Sequence, residues 1–587
     1  MRKKKKRTGP VVPDKSYHGY RAHGGNRTLK SYTIGALPII NRILERMQLR
    51  ELLAKHLPRE DQRTKISTPV ALLLLLRNVL MSRQPIYGIC EWAERQVPGL
   101  LELQSAESLV HLNDDRVGHS LDKLFDAPHA ALLMDVVGKV IQEFGLSLEE
   151  LHNDSTTVSF FGEYEGAEEE GRCRAGKTLA ITQGHSKDHR PDLKQLLYTL
   201  TVTDDGGVPI YFTTDSGNTL DSNTHRQTWD LLCKLVGRHD FLYVADCKLA
   251  TIENMTYIAG NHGRFISVLP ATRREDQEFR KRLLQNPQAL TWEVLYEIKN
   301  EQDELLKRIS YCKDSLLSAE GYRILWFHNT QKQAHDIVAR AKKIDRALLK
   351  LAGFRAKLHS PKTRYRQKAK VAEQVEEILK HYEVERWVIV EIEERQVESL
   401  KKIGRGRPTE DAQYTKSISN RYNISFTLET VRLAEDNATA GIFPLITNVP
   451  ELSPEQIVRA YGRQPIIEKR FSQLKTDFRV APVYLKEVSR IQAFLCVYFF
   501  ALVVQTLVER ELRQAMKRQQ YESLPMYPEQ RDCLAPTTGR VIDMFDGIQR
   551  HQLGQGNKEN EVFVTELSPV QLTILQLLKI DQAAYDA

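Results

Sequence analysis

Between Pro38 and Leu57 (PIINRILERMQLRELLAKHL) and again between Thr68 and Ser82 (TPVALLLLLRNVLMS), apolar residues recur at the spacing of helices with a buried face. Residues 31–140 therefore read as an α-helical N-terminal domain. From Leu148 the period changes to two. Leu151, Asn153, Ser155, Thr157 and Ser159 alternate with His152, Asp154, Thr156, Val158 and Phe160, a strand pattern rich in β-branched residues. QLLYTLTVTDDGGVPIYFTTDSG predicts two strands joined at Asp204-Asp205-Gly206-Gly207, and FLYVADCKL and GRFISVLP predict short apolar strands. Residues 145–275 thus form the first part of a mixed sheet flanked by helices. Residues 276–439 turn strongly charged, with helical pieces such as HDIVARAKKIDRALLKLA among short strands such as YRILWF, and read as an inserted α+β domain. GIFPLITN returns to strand, and helices follow from Ser453 and from about Val488 to Arg518, so residues 440–518 complete the core. Residues 519–587 read as a C-terminal helical region and residues 1–30 as a basic disordered tail. The fold class is α/β with a large α+β insertion.

Composition narrows the setting. Hydrophobic residues make up 41% of 587, enough for substantial cores. The balance of 84 Lys+Arg against 76 Asp+Glu leaves +8, with a run from Arg2 to Arg7 that suits either a polyanion or a solvated tail. Seven scattered cysteines, with no C-x-x-C pair, point to reduced thiols in a cytosolic protein. No apolar segment follows the basic start, so it is not a secretory signal. The apolar run Ala493–Val504 is too short to span a bilayer and predicts a buried helix, so no membrane partner is expected.

Three acids then stand out. Asp154 lies mid-strand, where a carboxylate serves either as edge protection or as part of a site. Asp246 ends the apolar run FLYVAD, a position that suits metal ligation and equally suits a helix cap. Ser453, Pro454 and Gln456 form a capping box that starts a helix, and on one continuous helix Tyr461, Glu468 and Lys475, seven residues apart, share a face. Beside Ile466, Ile467 and Phe471, Glu468 reads as more than a solvated charge. Two strand-borne aspartates and one helix-borne glutamate supply the hard oxygens that bind paired Mg²⁺ ions for phosphoryl transfer.

In these residues the chain resembles the DDE transposases of bacterial insertion sequences, specifically the insertion-sequence-4 group and its long-insert, insertion-sequence-1634-like subgroup. The likeness rests on NDSTTVSFFGE, GHSKDHRPDLKQ with DSGNTLDSNT, VADCKLAT, and GIFPLITNVPELSPEQIVRAYGRQPIIEKRFSQLK, which follows the Tyr-x2-Arg-x3-Glu-x6-Lys signature except at its arginine. It implies an RNase H-like catalytic core interrupted between the second and third acids. It also implies Asp154, Asp246 and Glu468 as converging catalytic metal ligands, and Mg²⁺ as cofactor with Mn²⁺ able to substitute. The implied activity is cleavage of insertion-sequence ends and strand transfer into target DNA by a homodimer on double-stranded DNA, bound at terminal inverted repeats. A bacterial cytoplasmic, nucleoid-associated location follows. Tyr461, Arg463, Lys475, Lys187 and Arg190 are the implied DNA-binding residues. The signature arginine falls on Gln464 here, with Arg463 adjacent; an arginine at 464 would be expected to restore a phosphate grip. That departure leaves one alternative, a catalytically silent transposase-derived DNA-binding protein.

Two basic stretches belong to the insertion. KLHSPKTRYRQKAK, with Arg355 just upstream, reads either as a phosphate-binding patch or as a solvated helix face. Arg405-Gly406-Arg407-Pro408 has the form of a minor-groove hook core or a flexible turn. The aromatics Tyr498, Phe499 and Phe500 read as core packing rather than a base-stacking platform.

Overall fold

The computed structural model describes residues 20–21, 27–61, 63–103, 106–174, 176–188, 190–313, 316–403, 414–478, 485–555 and 558–586. The Arg2–Arg7 run and the hook-like Arg405–Pro408 lie outside the described residues. The chain divides into two compact units, Met1–Phe265 with Ala460–Ala587, and Ile266–Arg459.

The first unit opens with helices α1 (Leu37–Arg46), α2 (Thr68–Met81), α3 (Asp114–Asp126) and α4 (His129–Phe144). Its sheet contains β1 (Glu150–Phe160), β2 (Lys194–Thr203), β3 (Pro209–Ser216) and β4 (Leu242–Ala245), in the order β3-β2-β1-β4. β1 pairs antiparallel with β2 and parallel with β4, and β2 pairs antiparallel with β3 across the Asp204–Gly207 turn. α5 (Thr224–Val236) connects β3 to β4.

The second unit carries a sheet in which β5 (Arg264–Val268) begins at the unit boundary. β6 (Trp292–Lys299), β7 (Leu305–Cys312) and β8 (Arg323–Asn329) follow. Beyond them, α6 (Thr330–His359) and α7 (Lys368–Tyr382) pack with a long hairpin, β9 (Val388–Lys402) and β10 (Tyr414–Leu428), around a separate core that includes Leu351, Phe354, Val371 and Ile424. β11 (Ile442–Thr447) then pairs antiparallel with β8 on one side and β5 on the other.

After β11 the chain enters α8 (Pro454–Tyr461) and α9 (Pro465–Ser472), a single π turn at Gln473–Asp477, and α10 (Val488–Arg518). The continuous helix expected from Ser453 is therefore interrupted. Its capping box is present, with Ser453 Oγ accepting from the Gln456 amide and Gln456 Oε1 accepting from the Ser453 amide. Pro465 has no N–H to continue the ladder and instead starts α9 at its first turn. α10 is the described helix long and apolar enough to cross a membrane by composition, and 89% of its most apolar window is buried inside the protein. It packs against α1, α2, α3 and β3. Tyr498, Phe499 and Phe500 are buried in it, as core packing requires.

The stretch after residue 518 departs from the helical reading. Gln549–Gln555 and Lys558–Val564 form a hairpin, and Gln549–Gln555 also pairs antiparallel with Arg27–Thr33, so the two ends of the chain share one sheet. Alternation is weak in these strands (QRHQLGQ, KENEVFV), which is why periodicity passes over them.

Candidate active site

Every residue of β1 is buried except Asp154, which is only partly exposed. The ladder explains its position. Asn153 lies opposite Ala245 in the parallel pairing with β4, and β4 ends at Ala245, so Asp154 and Asp246 follow one residue further along adjacent strands. Both carboxyls titrate above the ordinary aspartate range. For Asp154 burial is the main cause and the charge of Asp246 adds to it, while Lys187 opposes; the result is about 6. For Asp246 burial dominates and Asp221 adds, against the Lys248 amide and Lys187. The Lys248 N–H donates to Asp246 Oδ1 at 3.0 Å.

Lys187 supplies the local positive charge. Its Nζ donates to the Ser155 carbonyl at 2.6 Å and to Ser155 Oγ at 2.8 Å, lies 3.4 Å from Asp154 Oδ1, and pairs with Asp221 Oδ2 at 3.0 Å. Burial works against this ammonium, yet Asp154 and Asp221 outweigh it and hold the amine above the ordinary lysine value. Asp221 lies within DSGNTLDSNT but carries no mark of its own in the sequence, because it stands in a short turn that has no periodicity. Beside it His225 is buried against the Tyr243 hydroxyl at 3.1 Å, and burial pushes its pKa down to about 4.

Glu468 approaches from the opposite element. α9 packs on β1, but the Glu468 side chain is exposed, contrary to the apolar surroundings expected from Ile466, Ile467 and Phe471. The residue that relates it to the aspartates is Tyr461, whose phenol is raised by burial and then by Asp246, Cys247, Asp154 and Glu468 together. All three acids therefore act on one side chain. Among the described residues, no three of His, Cys, Asp and Glu stand close enough together to hold a metal ion. The donor chemistry nevertheless fits a hard divalent cation: carboxylate oxygens predominate, and the Lys187 ammonium already sits as a cation between Asp154 and Asp221.

The other predicted contacts are engaged within the protein. Lys475 Nζ pairs with Asp188 Oδ1 at 2.6 Å, and Asp188 also accepts from Ser159 Oγ at 3.3 Å, which ties the π turn after α9 to β1. Arg190 is exposed and forms a two-pronged pair with Asp192 at 2.8 and 2.7 Å. Arg463 pairs through Nε and Nη2 with Glu150, the Nε distance being 2.7 Å. Burial would raise the Glu150 carboxyl, but His152 and Arg463 hold it below the ordinary range.

Gln464 is where the structure departs most from the sequence-based expectation. It is buried rather than turned outward: its Nε2 donates to the Asn153 carbonyl at 3.0 Å and its Oε1 accepts from His152 Nδ1 at 2.8 Å. His152 Nε2 meets Glu150 Oε1 at 2.8 Å. Position 464 thus fastens the start of α9 to β1 beside Asp154. A second fastening is Arg470, fully buried, which donates to the Gly207 carbonyl at 2.9 Å and the Gly206 carbonyl at 2.6 Å, and pairs with buried Glu509 of α10 at 3.0 Å. Gly207 has φ +64°, and a Cβ there would meet Ile466 Cγ1 at 2.6 Å, so glycine lets α9 rest on the hairpin turn.

Residues 150–504 match the family described as Transposase DDE domain, and residues 29–138 match a domain of unknown function, DUF4277. Among curated proteins nothing matches. Of the solved structures, a cryo-EM synaptic complex of piggyBac transposase with hairpin DNA is similar at 8% identity and a TM-score of 0.32, over 85% of this chain and 78% of that one.

Proposed function

Because the chain belongs to the DDE-domain transposase family, we propose that it cleaves DNA at the ends of an insertion sequence and joins the freed 3′ end to target DNA. The resemblance of the motifs quoted above supports assigning it to the insertion-sequence-4 group, long-insert subgroup, with an RNase H-like core. The observation that carries the reading is the placement of Asp154 and Asp246 at matched positions on neighbouring parallel strands, beside a half-buried lysine ammonium.

Asp154, Asp246 and Glu468 would hold Mg²⁺ or Mn²⁺, and Asp221 is a further oxygen donor within reach of the same cation-binding region. Bound divalent ions would activate the attacking oxygen and neutralise the leaving one. The chain's own groups serve the substrate. Tyr461, whose phenol stays protonated at neutral pH, is a hydrogen-bond donor beside the acids. Lys187 can pass its ammonium from carboxylate to phosphate, and Lys475 and Arg190 lie on the adjoining segments. In cleavage, water adds to phosphorus as the bond to the 3′ oxygen breaks and that oxygen leaves as a hydroxyl. In transfer, this hydroxyl attacks a target phosphorus and displaces another 3′ oxygen. The partner is duplex DNA, inverted repeats and target alike, engaged by a homodimer in the bacterial cytoplasm.

The test is Mg²⁺-dependent nicking and strand transfer on DNA carrying the element's inverted repeats, with Glu468→Ala alongside. The variant should bind the ends in a gel shift as the parent does, because affinity comes from many cation–phosphate contacts, and should lose both chemical steps. Normal nicking by the variant would remove Glu468 from the site.

A further inference from the structure

We propose that the turn joining α6 to α7 in the inserted unit is a binding site for the phosphate backbone of duplex DNA, contributing affinity without sequence preference. The inference rests on the transposase reading and adds to it a surface away from the acids.

Charge is the first observation. Residues 330–372 carry thirteen Lys and Arg against Asp336 and Asp345 alone, a local excess of +11 where the whole chain has +8. Along the turn, Lys357, Lys362, Arg364, Arg366, Lys368 and Lys370 are all exposed, and none forms an ion pair among the described residues. A solvated helix face has a different pattern, seen elsewhere in this unit: Arg274 pairs with Glu278 and Lys380 with Glu376, each one turn apart. Within α7 the signs separate abruptly. Its first turn holds Lys368 and Lys370 with no acid, and Glu373, Glu376 and Glu377 follow. Cations at a helix N-terminus oppose the helix dipole, an arrangement that costs stability unless an anion visits.

Rigidity is the second observation. Tyr365 packs edge-on against buried Phe354, with ring centroids 4.9 Å apart, and its hydroxyl donates to Gln374 Oε1 at 2.8 Å. Arg421 of β10 donates to the Ser360 carbonyl at 3.1 Å, and the Thr363 amide donates to the same carbonyl at 3.1 Å. The Arg364 guanidinium lies 5.3 Å from the Tyr365 ring. The backbone that carries these cations is therefore fixed before any ligand arrives, which lowers the entropy lost on binding. Exposed Lys and Arg side chains without ion-pair partners are the groups that neutralise backbone phosphates, and such contacts carry no sequence information.

The experiment uses the full-length protein and a short duplex of arbitrary sequence, with affinity measured across a salt series. Replacing Lys357, Lys362, Arg364, Arg366, Lys368 and Lys370 by Gln should weaken binding about tenfold or more near physiological salt. It should also flatten the plot of log affinity against log salt by about 0.9 for each phosphate that the variant no longer neutralises. Two half-variants, K362Q/R364Q/R366Q and K357Q/K368Q/K370Q, should each give part of the change and guard against misfolding of the full set. A control, R274Q/K281Q/K299Q/K313Q, should leave the slope near that of the parent. Nicking of DNA held at saturating concentration should persist in all variants. If the parent binds and nicks DNA while the six-fold variant keeps its affinity and slope, this inference falls and the transposase reading stands. If the parent binds no duplex at all, both fall.

Discussion

At the scale of single residues, Gln464 and its neighbour Asp154 make opposite demands. Gln464 satisfies two buried groups at once, and an arginine there would present donors to His152 Nδ1, which is itself donating. Gln464→Arg should therefore destabilise the protein by about 1–3 kcal/mol, the cost of an unsatisfied buried group, and should lower cleavage instead of restoring a phosphate grip. Denaturant unfolding beside a nicking assay checks both. Asp154 itself is held in a costly state. Its carboxyl, pushed up to about 6, binds a proton more readily in the native protein than in the unfolded chain. The stability tied to that proton is present below about pH 4 and lost as pH rises through 6, about 3 kcal/mol at most. Asp154→Asn should accordingly raise metal-free unfolding stability at pH 7 by about 1–2 kcal/mol, give little gain at pH 4, and abolish nicking.

At the scale of elements, the decisive structure is α9, which presents Glu468 and is held at both ends. Gln464 fastens its start to β1, and Arg470 fastens its far end to the β2–β3 turn and to Glu509. Arg470→Ala would take from the buried Glu509 carboxylate its shortest ion pair, leaving Lys469 and Arg513 at 3.8 and 3.7 Å, and should cost about 3 kcal/mol in unfolding experiments, whereas Arg470→Met with Glu509→Leu should recover most of that loss. β1, the β2–β3 hairpin and α10 were legible in the sequence, because a run rich in β-branched residues, a Gly-Gly turn and an uninterrupted apolar stretch each leave a local mark. The seven-residue spacing of Tyr461, Glu468 and Lys475 misled, since it presumes an unbroken helix and Pro465 breaks it. Asp221 was hidden in a turn, and the partners of Gln464 lie some three hundred residues earlier in the chain, where no local pattern points to them.

At the scale of the whole molecule, the first unit is assembled from both ends of the chain. Arg27–Thr33 finds its hydrogen-bond partner in Gln549–Gln555, and α1, α2 and α3 bury their apolar faces against α10. Truncation after Asp546 should therefore free the Ile34 and Gly35 amides, which donate to the Ile548 carbonyl at 3.0 and 3.1 Å, for rapid hydrogen exchange and lower the unfolding midpoint. Protection of those amides in the truncated protein would show that the sheet does not depend on its C-terminal strands.

That closure has a consequence in time. A ribosome that has finished α2 must still translate more than four hundred residues before α10 is complete, on the order of half a minute or longer at ~5–20 residues per second. Throughout that interval α2 can pack only against the early helices such as α1 and α3 and lacks its contacts with α10, and the third acid is made only near its end. The first core is therefore complete only after α10 has been made, and a product released before that point should be exposed to proteolysis and, on the proposed function, should lack Glu468 whenever it stops short of α9.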